Sequence, residues 1–146
     1  MSREDSALAD RILGDSDLLL LLGRLGLSME PCGSQVTCDP PPVENTDWDY
    51  RIQVPAVPAR LERLQVELLG LAFECESELY ELGPGNNFAS WRRGATNLLI
   101  SDEPEWCRRH RAATALCQRL NLLRKPDRVA LFQAVLYGNM PSPPYA

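Results

Sequence analysis

Cys32-Gly33-Ser34-Gln35-Val36-Thr37-Cys38-Asp39-Pro40-Pro41-Pro42-Val43-Glu44-Asn45-Thr46-Asp47-Trp48-Asp49-Tyr50-Arg51-Ile52 runs from a Gly-Ser turn, through a proline-rich loop, into a segment of alternating polar and apolar side chains. Successive side chains of a strand point to opposite faces. Over 47–54 this puts Trp48, Tyr50 and Ile52 on a buried face, and Asp47, Asp49, Arg51 and Gln53 on a face turned to a cleft. Asp47 and Asp49 therefore present two carboxylates side by side, and each raises the other's pKa unless a cation lies between them. Mg²⁺, or Mn²⁺ in its place, suits such a pair: it prefers oxygen ligands and takes one or two carboxylates plus substrate phosphates. Asp-x-Asp alone is weak evidence, since two solvated acids at a strand end are commoner. The Gly33-Ser34 turn strengthens it, because backbone N–H groups at such a turn can cradle phosphate. Arg51 shares the acidic face, where it either pairs with Asp49 or touches a triphosphate.

Upstream, 28–32 predicts a short strand. Residues 4–26 predict an amphipathic helix carrying Leu8, Ile12, Leu13, Leu19, Leu20 and Leu22, broken at Gly14-Asp15-Ser16-Asp17, where Asp15 or Ser16 caps a second short helix. Pro40-Pro41-Pro42 allows no more than one helical turn after Gly33-Ser34. Downstream, Pro58 opens a helix to about Leu69 with Leu61, Leu64, Leu68 and Leu69 as its stripe. Residues 71–82 are acidic and ambiguous, and 83–87 form a turn. Two strands, 88–92 and 95–101, make a hairpin around Arg93-Gly94. Asp102, Pro104 and Glu105 predict a capped helix to about Leu120, with Trp106, Ala113, Leu116, Cys117 and Leu120 inward and Arg108–Arg111 solvated. His110 has no evident partner. Pro126 opens a last helix that packs through 129–137 and ends at Gly138, and 140–146 is an extended tail.

Gly33-Ser34, Thr37-Cys38, Pro40-Pro41, Thr46-Asp47 and Asp49-Tyr50 resemble the nucleotidyltransferase fold of the DNA polymerase β superfamily, and within it the small nucleotidyltransferase-like proteins of tailed bacteriophages. Segments 90–101 and 127–139 are similar to the same group, so the resemblance covers about 29–139. It implies an α+β fold, a minimal nucleotidyltransferase-like core in which a small mixed sheet is covered by helices. It also implies a site in which Asp47 and Asp49 hold Mg²⁺ and carry catalysis. Gly33, Ser34, Arg51, Ser90, Arg92 and Asn97 would bind the nucleotide. The superfamily places a third carboxylate on the second hairpin strand, and the position here is Asn97. An amide can ligate a metal, but it brings no charge and cannot accept a proton from an attacking hydroxyl. Asp102, at that strand's end, substitutes only if the geometry shifts.

The chain has 146 residues, enough for one domain (1–146) with one core. Five cysteines without a repeated C-x-x-C argue against a disulfide framework or a zinc site and predict reduced thiols. No apolar run spans a bilayer and the acidic start is unlike a signal peptide, which predicts a cytoplasmic protein with no membrane partner, in an infected bacterial host if the resemblance holds. Residues 1–90 carry 16 acids against 6 Lys/Arg, and 91–146 carry 4 against 9, giving −10 and +5 within a net −5. Charge complementarity between the halves accounts for this more simply than a nucleic-acid face, and the net acidity argues against nucleic acid as main partner. Two readings remain: a Mg-nucleotide-binding protein that transfers a nucleotidyl group from a nucleoside triphosphate, or a degenerate member that acts on a host protein.

Overall fold

The decisive strand is β2, Trp48–Gln53. In the computed structural model, which describes residues 14–43, 47–77 and 87–138, it lies between an antiparallel and a parallel neighbour. The described chain runs α1 (Ser16–Arg24), β1 (Met29–Cys32), α2 (Ser34–Thr37), β2, α3 (Pro58–Gly70), β3 (Glu74–Ser77), β4 (Ala89–Arg93), β5 (Thr96–Ser101), α4 (Pro104–Leu120) and α5 (Lys125–Tyr137). The sheet order is β1-β2-β5-β4-β3, with β2 and β5 parallel and the other pairs antiparallel. This is the α+β architecture with a small mixed sheet that the sequence predicts.

Alternation divides the sheet as expected. Tyr50 and Ile52 meet Leu98 and Ile100 of β5, Ala89 and Trp91 of β4, and helices α1 and α3 in one core. The opposite parity, Asp49 and Arg51, faces α2 and α4. Within the ambiguous acidic stretch 71–82, β3 forms an edge strand on β4, and 78–82 lie outside the described residues. Gly94 takes φ +60°, which lets the β4–β5 turn close. The expected leucine helix around 16–24, the one-turn helix after Gly33 and the helix from Pro58 are all present.

Several expected details differ. Leu18, Leu21 and Leu22 are the buried leucines of α1, whereas Leu19 and Leu20 are exposed, because 18, 21 and 22 follow the helical period and 19 and 20 point away. The same arithmetic exposes Leu69 on α3. On α4 the buried stripe is Trp106, His110, Ala113 and Cys117, with Cys107 and Thr114 beside it. Leu116 and Leu120, expected inward, are exposed. Pro104 occupies the first turn of α4, so the N-cap position falls on Glu103 and not on Asp102, and no side chain caps it. Glu105 binds Arg108 and Arg109 instead of closing a capping box. α5 packs on α4 as expected, through Phe132 against His110 and Tyr137 against Trp106, and Gly138 follows it as C-cap, but none of its residues is fully buried. The expectations for 4–13, 83–86 and 140–146 lie outside the described residues. Among the described residues no helix is long and apolar enough to cross a membrane.

Leu98 is 0% exposed and Leu20 72% exposed. Leu98→Ala is expected to lower unfolding free energy by about 2–5 kcal/mol, and Leu20→Ala to change it by no more than about 0.5 kcal/mol, as read by urea denaturation.

Candidate functional site

Gly33 ends β1 and precedes α2 with φ +80°, a left-handed conformation that glycine tolerates. A Cβ built there would lie 2.1 Å from Asp49 Oδ2. The Asp49 carboxylate thus rests directly on the Gly33 backbone, with no room for a side chain between them. β1 and β2 bring the two together, since Cys32 pairs with Asp49. On the other side of β2, Asp49 pairs with Asn97 of β5. Asn97 Nδ2 donates to Asp49 Oδ1 at 2.9 Å, and Ser90 Oγ donates to Asn97 Oδ1 at 3.1 Å. Burial pushes the Asp49 carboxyl above its ordinary pKa; the Asn97 hydrogen bond and Arg92 oppose this, while Asp47 adds to it. The neighbouring Cys32 thiol is pushed up to about 12, mainly by burial, and stays protonated.

Asp47, just before β2, is held differently. Arg92 Nη1 lies 3.0 Å from Asp47 Oδ2, and Arg92 Nε lies 3.2 Å from Glu76 Oε1 on β3. A polar ribbon therefore crosses the sheet from Asp47 and Asp49 through Asn97 to Ser90, Arg92 and Glu76. Of the residues singled out in the sequence, Asp47, Asp49, Gly33, Ser34, Asn97, Ser90 and Arg92 come together here.

Arg51 does not join them. It is 2% exposed, beneath α4, so it neither lies open to a ligand nor takes Asp49 as its ion-pair partner. Its Nη2 reaches Glu30 Oε2 at 3.2 Å and its Nη1 donates to His110 Nδ1 at 2.7 Å. The physical reason is the covering helix: α4 closes the sheet at Arg51 but leaves Asp49 at its margin. Arg111 completes the cluster at 2.6 Å from Glu30 Oε1. Asp102 lies five residues beyond Asn97, about 16 Å along an extended chain, too far to replace it.

A cavity of about 270 Å³ adjoins the ribbon. Its floor includes Gly33, Ser34, Thr37 and Asp49. Its outer wall is one face of α5: Lys125, Arg128, Val129, Phe132 and Gln133. The sequence reading missed this wall. The 125, 128, 132 spacing was the available signal, but polar residues on a terminal helix look like a solvated face. The ring of His110, a residue with no evident partner in the sequence, stacks on Trp106 (4.8 Å) and lies tilted against Phe132 (5.0 Å). Spacing to Trp106 and Ala113 puts it on the inward stripe. The arginines around it on α4 are ion-paired, Arg108 and Arg109 sharing Glu105 and Arg111 sharing Glu30 with Arg51.

A divalent cation would find two carboxylates, Asp47 and Asp49, with an amide beside them. Among the described residues no group of three or more His, Cys, Asp or Glu side chains gathers as a metal cluster. That donor set fits a hard cation completed by substrate phosphates and not a closed protein cage. Comparison with protein-family models, with curated proteins and with solved structures gives no match.

The Arg51 cluster sets an acid limit on stability. Burial, then the charge of Arg51, pushes His110 down to about 3 from 6.5. Above pH 6.5 His110 is neutral folded or unfolded and is without effect. As pH falls below 6.5 the unfolded chain takes up a proton that the folded chain refuses, so stability falls by up to about 1.4 kcal/mol per pH unit. Glu30, held at about 2 chiefly by the Arg111 hydrogen bond, loses its contribution in a lower window, from 4.5 down. Urea denaturation at pH 7, 6 and 5 should show a wild-type loss that His110→Gln removes; equal slopes would contradict the assignment.

Proposed function

We propose that the chain is a nucleotidyltransferase-like protein of the kind found in small tailed-bacteriophage proteins, working in the cytoplasm of an infected host and binding a nucleoside triphosphate with Mg²⁺. The observation that carries this reading is the seating of the Asp49 carboxylate on Gly33. It joins the Asp-x-Asp strand to the Gly-Ser turn at the floor of one cavity. Phosphate would lie along Gly33 and Ser34, and Asp47 and Asp49 would face it through the cation. Mg²⁺ when bound supplies the positive charge that lets phosphate approach two carboxylates. Arg92, a planar fork beside Asp47, is suited to phosphate once it leaves Glu76. Asn97 orients Asp49 by its hydrogen bond.

A second reading has its own observations. Asn97 stands where the resemblance implies a carboxylate, and Arg92 already supplies positive charge at Asp47. Both favour a member that binds nucleotide without transferring it and acts on a host protein.

Calorimetric titration of ATP, CTP, GTP and UTP, with and without Mg²⁺, tests the common premise. Mg²⁺-dependent binding that Asp47→Ala weakens by about tenfold or more is the expected result. Absence of binding by every nucleotide, from folded protein, would overturn it. Transfer of labelled nucleotide to an acceptor then separates the two readings.

A further inference from the structure

α5 packs on α4 but lies outside the main core: none of its residues is fully buried and Val129 is 49% exposed. Yet Lys125, Arg128, Val129, Phe132 and Gln133 recur at i, i+3, i+4, i+7 and i+8, a single helical face, and that face walls the cavity opposite Gly33, Ser34 and Asp49. The helix is held by Phe132, at the edge of that face, and by contacts near its C-terminal end. Phe132 packs on His110, Trp106 Nε1 donates to Tyr137 Oη at 3.3 Å, and Arg109 Nη1 donates to Leu136 O at 3.1 Å.

The hydrogen bonds of Arg128 all leave from one nitrogen. Nη1 reaches Leu123 O (2.7 Å), Leu122 O (3.1 Å) and Cys38 Sγ (3.4 Å). Its Nη2 and Nε have no hydrogen-bond partner among the described residues, and neither has Lys125 Nζ. Arg128 is thus anchored on one edge with the other edge of the fork uncommitted. Lys125 and Arg128 face the cavity from the first turn of a 13-residue helix, with Asp127 in the same turn but not on the cavity wall. Asp49 alone opposes them across the cavity.

We infer that α5 is a phosphate clamp: Lys125 and Arg128 grip the polyphosphate chain of the nucleotide against the Gly33-Ser34 turn, while Val129 and Phe132 cover it. This rests on the nucleotide reading above and adds to it what is recognised, the triphosphate and not the base. Of the lining side chains only Gln133 carries the paired amide donor and acceptor that read a base edge. The volume of this open cavity, about 270 Å³, falls at the foot of the range for small-molecule sites, about 300–1,000 Å³. It suits a phosphate chain with part of a sugar and leaves the base outside.

The test is titration of inorganic triphosphate and each of the four nucleoside triphosphates, in Mg²⁺, into wild type, Lys125→Glu, Arg128→Gln and Arg128→Lys. Thermal melts check folding; exposed Lys125 provides the variant free of structural duty. Lys125→Glu is expected to weaken all five ligands by about tenfold or more, by a common factor. Arg128→Lys should bind better than Arg128→Gln. Wild-type affinity in Lys125→Glu and Arg128→Gln, with Mg-dependent nucleotide binding retained, would overturn the clamp and leave the nucleotide reading standing. A preference above tenfold for one base, or nucleotide binding without triphosphate binding, would overturn it too. Binding of no ligand would overturn both.

Discussion

The Asp49 carboxylate sits where three constraints meet. β1 brings Gly33 beneath it, β5 brings the Asn97 amide beside it, and burial removes the water that would otherwise solvate its charge. A half-buried carboxylate with a single amide donor is incompletely stabilised. Asp49 lies at the margin of α4, against the cavity, which leaves it partly open to solvent. Gly33 follows from the same contact, since any Cβ would displace the carboxylate. So does the placing of Asn97, which the parallel β2–β5 pairing sets opposite Asp49. The turn, the strand pair and the cavity floor are fixed by one side chain.

Two residues further along the same face, the sheet solves the opposite problem. Arg51 is a buried cation, and α4 closes over it with Glu30, His110 and Thr114 as partners. A guanidinium that deep is maintained only by paired charge and hydrogen bonds, and a neutral His110 accepting from it is part of that arrangement. The complementarity between an acidic first half and a basic second half becomes concrete here. Glu30 with Arg111, Asp47 with Arg92, and Asp15 and Asp17 with Arg93 all join the two halves. Much of the charge asymmetry goes into these pairs, while among the described residues Arg119, Arg124, Lys125 and Arg128 form no ion pair.

Strand alternation was legible in the sequence because Tyr50, Ile52, Leu98 and Ile100 obey a period of two under one buried face. The proximity of Gly33, Asp47, Asp49 and Asn97 was legible through the resemblance, and their types suit one chemistry. Arg51 was misplaced because alternation assigns a face but not which part of that face a helix covers. Leu116 and Leu120 were misplaced because apolar character was read ahead of angular position on α4. The wall formed by α5 was invisible for a different reason. Lys125, Arg128 and Gln133 are residues that solvated helices carry everywhere, and only the approach of that helix to Gly33 places them on a cavity.

The most direct measurement of the cation seat is Mn²⁺-induced line broadening in the NMR spectrum of the protein with ATP. Broadening centred on Gly33, Asp47, Asp49 and the Asn97 side-chain amide, and reversed by excess Mg²⁺, is the predicted result. Broadening centred instead on the acidic edge strand at Glu74 and Glu76, or spread evenly over surface carboxylates, would contradict a metal-nucleotide site at Asp49.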